Sequence, residues 1–117
     1  MPYVDGFVLA VPKANLDAYK AVATTAGEVW KEYGALSYVE CFADDVPDGK
    51  LTSFPLAVKA TEDEIVVFSW ITYPSREVRD EINKKVMADP RLKCEMENMP
   101  FDGKRMIYGG FKTVIEM

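Results

Sequence analysis

Three charged residues stand where charge is costly. Asp5, Glu40 and Lys112 each fall in a stretch with strand-like alternation among large apolar side chains: Asp5 with Phe7, Glu40 with Phe42, Lys112 with Tyr108 and Val114. If their faces coincide, the three converge. Desolvation disfavours the charged form of a carboxylate and a nearby cation favours it, which is how a general acid or base is positioned, so Asp5 and Glu40 are the candidate catalytic residues. Glu40 and Lys112 also suit edge strands, where their charges meet water and discourage sheet-to-sheet association. Asp5 has no such outlet, because its strand is expected to be central.

A second set of residues suits ligand binding: Tyr38, Ser69, Trp70, Arg79 and Lys112. Ser69 lies between Phe68 and Trp70 and has a hydroxyl to offer a ligand, although a buried serine more often satisfies a backbone group. Arg79 beside Asp80 suits a carboxylate clamp or a surface ion pair. Trp30, Tyr33, Tyr38 and Trp70 are candidates to line an aromatic pocket between sheet and helices, the plainer reading being core. Asp102-Gly103-Lys104-Arg105 makes a modest anion site at best. Asp44, Asp45 and Asp48 read as a solvated turn.

Composition removes several mechanisms. The chain has no histidine, which excludes Ser-His-Asp and Cys-His catalysis, histidine-ligated zinc and proximal-histidine haem. No EF-hand or P-loop spacing occurs, so no metal and no cofactor are expected. Cys41 and Cys94 lie far apart without a CxxC spacing and are expected to be reduced and buried. A net charge of -5 repels polyphosphate, which argues against nucleic acid. No apolar run approaches the roughly 20 residues needed to span a bilayer, and the N-terminus lacks signal-peptide character, so a cytoplasmic protein that does not enter membranes is expected.

The 117 residues, 49% of them hydrophobic and 28% charged, suit one domain over 1–117. Tyr3 to Val11 alternates as a strand ending at Pro12. Asn15 is the expected N-cap of a helix whose apolar face runs Leu16, Tyr19, Val22, Ala23, Ala26, Val29, Trp30 and Tyr33, with Gly34 as its left-handed stop. Leu36 to Ala43 returns to strand before the turn Asp44-Asp45-Val46-Pro47-Asp48-Gly49. Thr52 to Val58 reads as an edge element or loop because of Pro55. Ile65 to Tyr73 is continuously apolar and reads as a central strand covered on both faces.

Ser75 caps a second helix with Val78, Ile82 and Val86 on one face, with Asp80 to Lys84 and Glu81 to Lys85 as outward pairs, ending at or before Asp89-Pro90. Arg91 to Met99 holds a further helical turn. Arg105 to Met117 is the last strand, in which Gly109 and Gly110 suggest a bulge or a close backbone approach. The order gives an α+β, ferredoxin-like βαββαβ fold: a four-stranded antiparallel sheet with both helices on one face.

Two helices cover one side of such a sheet, yet the strands carry large apolar side chains on both: Val66, Phe68 and Trp70 oppose Val67 and Ile71. At roughly 25 cal/mol per Å², leaving the second face wet forgoes several kcal/mol, so a homodimer packed sheet to sheet is expected. The competing arrangement folds Leu51 to Ala60 and Arg91 to Phe101 over that face within one chain.

Short runs spread along nearly the whole sequence carry a family likeness. They are Tyr3-Val4-Asp5-Gly6-Phe7, Gly34-Ala35-Leu36 leading through Glu40-Cys41 to Asp44-Asp45-Val46-Pro47-Asp48-Gly49-Lys50, Thr52-Ser53-Phe54-Pro55, Phe68-Ser69-Trp70, Arg79-Asp80, Met87-Ala88-Asp89-Pro90, Met99-Pro100-Phe101-Asp102-Gly103-Lys104-Arg105-Met106 and Gly109-Gly110-Phe111. In these the chain resembles the YbaA-like family of unknown function, which implies the dimeric α+β barrel group. That group spans cofactor-free monooxygenases, haem-degrading enzymes and small-molecule binders, so fold alone selects no activity. Three readings follow: a small-molecule-binding dimer with its ligand between sheet and helices, a cofactor-independent enzyme using Asp5 or Glu40 as base, and a structural interaction module.

Overall fold

A computed structural model describes residues 1–117. Strand β1 (Tyr3–Pro12) alternates Asp5, Phe7, Leu9 and Val11 toward one face, and it pairs on both sides, with β3 and with β4. A 3-10 turn, Lys13–Asn15, leads into helix α1 (Leu16–Glu32). Asn15 does not cap it. The preceding turn already winds the backbone into a helical path, and the side-chain amide of Asn15 instead donates to the carbonyl of Pro100 at 3.0 Å. At the other end Gly34 takes φ +114, and the N–H groups of Gly34 and Ala35 close on the carbonyls of Lys31 and Trp30, the Schellman pattern.

Strand β2 (Ser37–Phe42) follows, and after the polar turn the chain forms a short helix, α2 (Phe54–Ala57), where the sequence suggested an edge strand or loop. The physical reason is local. Ser53 accepts the N–H of Leu56 at 3.0 Å as an N-cap, and Pro55 falls in the first turn, where a missing N–H costs nothing. Strand β3 (Glu64–Tyr73), helix α3 (Arg76–Ala88) and helix α4 (Pro90–Glu97) come next. Ser75 caps α3, as expected, and Asp89 caps α4 by accepting the N–H of Arg91. Strand β4 (Ile107–Lys112) is shorter than the expected Arg105 to Met117.

The sheet order is β2-β3-β1-β4, antiparallel throughout, as the ferredoxin-like reading requires. Register assigns the faces. The inner face carries Asp5, Phe7, Leu9, Tyr38, Glu40, Phe42, Val67, Ser69 and Ile71, and the core between it and the helices includes Val29, Trp30, Tyr73, Ile82, Val86 and Leu92. On the outer face lie Val4, Val8, Phe68, Trp70, Ile107 and Phe111. The expectation that β3 is covered on both sides fails within one chain, since Phe68 is 43% exposed on the outer face, where Phe111 of β4 is 63% exposed as well.

The chain covers one end of that outer face itself. Val58, just after α2, is fully buried against Ala10 and Val66, and Phe54 sets its ring edge-on to Phe68, centroids 5.9 Å apart. The Arg91 to Phe101 segment goes to the other side, where Leu92 joins the inner core and Phe101 packs on Tyr19. The outward pairs expected on α3 are replaced as well: Asp80 meets Arg76 and Arg79 rather than Lys84. Cys41 is half-buried and Cys94 exposed, correcting the expectation that both are buried; both are free thiols. No helix is long and apolar enough to cross a membrane.

Arg105 fastens the start of β3 to the turn before β4. Its guanidinium donates to both carboxylate oxygens of Glu64, at 2.8 and 2.6 Å, to Asp102 at 3.0 Å and to the carbonyl of Lys59 at 2.8 Å. These hydrogen bonds hold the Glu64 carboxyl at about 2, below its ordinary 4.5. Because the folded value is the lower one, the contribution is complete above about pH 4.5 and is lost as the pH falls toward 2. In thermal melts across pH 7 to 2, Glu64→Gln is expected to start less stable than the parent and to converge with it at the acid end. A gap that stays constant over that range would contradict the pairing.

Candidate functional site

Asp5 projects from the centre of the sheet and is 6% exposed, so its charge survives only through partners. Arg79, on α3, supplies Nη2 at 2.8 Å and Nε at 3.1 Å, and the Tyr73 hydroxyl donates at 2.8 Å. Arg79 is held more firmly protonated by these bonds, and burial followed by the Asp5 contact pushes the Tyr73 hydroxyl well above the phenol range, which keeps it a donor. The arginine also lies over the ring of Tyr3, 5.1 Å from its centroid. Tyr3 and Arg79 together occupy the space above Gly110, where a Cβ would come within 2.8 Å of Tyr3 Cε2. Gly110 is therefore the close backbone approach read from the sequence, and the ladder through Gly109 and Gly110 is regular, without a bulge.

Glu40 stands on the same face across β3, on β2, where it pairs with Ser69. Tyr19 from α1 donates to its Oε1 at 2.7 Å and Tyr38 to its Oε2 at 2.6 Å. Burial first, and the carboxylate charge second, raise both phenols far above their usual range, so each stays protonated and donates. Between the Glu40 and Asp5 groups, roofed by α1, α3 and α4, lies a cavity of about 530 Å³. Asp5, Tyr38, Glu40, Ser69 and Arg79 all line it. Small side chains, Ala23, Ala26 and Ser69, open its middle, and Met87, Met96, Met99 and Met106 edge it.

Two of the expected residues lie elsewhere. Trp70 is on the outer face, opposite Gly6 and Val39 in register and edge-on to Phe68, so it shares no pocket with Tyr38 or Ser69. Lys112 pairs with Tyr3 at the sheet edge and is exposed, away from both carboxylates. Of the aromatic quartet, Trp30 and Tyr38 line the cavity, whereas Tyr33 donates to Asp89 at 2.8 Å. Arg105 in the supposed anion turn is already bound by Glu64 and Asp102. Asp44, Asp45 and Asp48 form no group able to hold a metal ion.

Sequence reasoning missed Tyr19 and Tyr73 as carboxylate partners and Asn83, which accepts the indole N–H of Trp30 at 3.1 Å at the cavity wall. A signal existed: a tyrosine on an otherwise apolar face needs a partner for its hydroxyl.

A family model described as a protein of unknown function (DUF1428) matches residues 2–103. The uncharacterized protein YbaA of Escherichia coli K12 is 63% identical over 116 residues, 99% of each chain. Among solved structures, a NIPSNAP family protein of unknown function from Agrobacterium tumefaciens superposes with a TM-score of 0.59 at 19% identity, over 96% of this chain and 87% of that one. Rv0793 of Mycobacterium tuberculosis gives 0.56 at 14%, over 99% and 98%. At such identities the two structures share the fold with this chain.

Asp5→Asn leaves the Arg79 guanidinium facing a neutral amide, and removing one partner of a buried pair costs about 3 kcal/mol. Urea unfolding is expected to show that loss for Asp5→Asn and a similar one for Arg79→Met, with the double variant losing less than the two together. Strict additivity would mean that the two side chains do not depend on each other.

Proposed function

We propose, for a chain that belongs to the DUF1428 family of proteins of unknown function, that it is a homodimer in which each subunit binds a small, largely apolar molecule between sheet and helices. The cavity is the observation that carries the binding half. Its volume of about 530 Å³ falls in the range of small-molecule sites, and its lining is mainly apolar with a few convergent polar groups, Ser69, Asn83 and Glu40 among them. A purely structural module has no use for such a space, since a void in a core forgoes packing energy.

The dimer rests on the outer face. Phe68, Ile107 and Phe111 remain between 43% and 63% exposed on a sheet otherwise flanked by apolar neighbours, and a second copy of the same sheet is the self-complementary cover. The enzymatic reading narrows from two bases to one. Asp5 is fully engaged by Arg79 and Tyr73, whereas Glu40 faces the cavity with only phenols on it, so a cofactor-independent reaction there would use Glu40.

Two outcomes are expected. Sedimentation at micromolar concentration gives a dimer for the parent and a monomer for Phe111→Glu; a parent monomer ends that half of the reading. Native mass spectrometry of protein purified gently from its host shows an added mass of a few hundred daltons, absent from Ser69→Phe, which fills the cavity. Parent protein without added mass, together with failure to take up a neutral apolar dye such as Nile red, would remove the binding half.

A further inference from the structure

We infer that the cavity selects an organic amine, a flat apolar body carrying a protonated nitrogen, over neutral or anionic molecules of the same shape; this deepens the binding reading above and rests on it. The charges on its wall are lopsided. Three carboxylates line it, Asp5, Glu40 and Glu95, against one cation, Arg79. Arg79 is spent on Asp5 and Asp80, which leaves no positive charge free for a carboxylate or phosphate on the ligand. Glu40 accepts hydrogen bonds from Tyr19 and Tyr38, neutral groups that hold its oxygens in place without cancelling their charge, and no cation pairs with it.

The nearest lysines of α1 do not repair the imbalance. Lys20 and Lys31 line the groove on the outside of the Tyr38 and Glu40 wall, Lys20 over the ring of Phe42 and Lys31 donating to the carbonyl of Leu36. Inside, Trp30, Tyr38 and Phe7 supply aromatic faces beside Glu40 and Ser69. Aromatic faces attract a cation and exclude an anion, and they stack on a flat hydrocarbon. A protonated amine thus meets a fixed carboxylate on a largely apolar, partly buried wall, where charge pairing is stronger than in bulk solvent.

The test uses three probes with one skeleton and calorimetry on the full chain: 2-(aminomethyl)naphthalene, 2-naphthylmethanol and 2-naphthoate. The expected result is that the amine binds at least tenfold more tightly than the alcohol and that the carboxylate binds more weakly than either. In Glu40→Gln, the amine's advantage over the alcohol falls to about twofold. Since Glu40→Gln also alters the bonds to two tyrosines, Glu95→Gln is run beside it and is expected to reduce the same ratio by a smaller factor. An amine that binds no better than the alcohol, or a carboxylate that binds as well as the amine, overturns the selectivity while leaving the cavity reading intact. Absence of binding by all three overturns both.

Discussion

A carboxylate in the middle of a four-stranded sheet sets the terms for much of this molecule. Asp5 cannot remain charged on an apolar face without nearby donors, and the two it has come from the end of β3 and the first half of α3. Meeting that requirement fixes where α3 crosses the sheet. It also places the Arg79 side chain over the ring of Tyr3, and the room taken by both leaves space above β4 for glycine alone at position 110. One buried charge thus ties together the first strand, the third, the last and a helix.

The same arrangement explains why the interior is hollow. Around the cavity α3 is tied to the sheet by the Asp5 pair and α1 by the Tyr19 bond to Glu40, while beyond it both helices pack on the sheet through apolar side chains such as Val29, Ile82 and Val86. Where α1 faces Ser69 across the cavity its side chains are small, Ala23 and Ala26, and do not fill the gap. The opposite side of the sheet follows a different logic. There, apart from the corner closed by Val58 and Phe54, the surface is broad, apolar and uncovered within the chain.

Much of the frame was legible because it depends on neighbours in sequence. Alternation gave β1 and β2, the 3.6-residue recurrence gave α1, and Gly34 marked where α1 stops. Phe54–Ala57 was misread because proline argues equally against a strand interior and for a helix's first turn, and only the Ser53 cap decides between them. The face of Trp70 was hidden by the unbroken apolar run of β3, whose parity is fixed only once Ile71 is set against Asp5 and Tyr38. Asp5 was conspicuous by itself, but its arginine lies 74 residues further along, and no local pattern connects the two. Glu40 and its tyrosines fell between these cases, since all three were visible and only the fold brought them within bonding distance.

The position of β1 bears on how the chain is made. It precedes both of its partners along the chain, residues 64–73 and 107–112, so during synthesis one of its edges stays unpaired until β3 has emerged and the other until β4 has. An apolar strand kept waiting with an open edge is the kind of segment that nascent chains misassemble through, and it is a natural client for a holding chaperone. Circular permutation that joins the present ends and opens the chain in the exposed turn at 44–52 would make β3, β4 and β1 consecutive, and should shorten that vulnerable interval without altering the finished architecture.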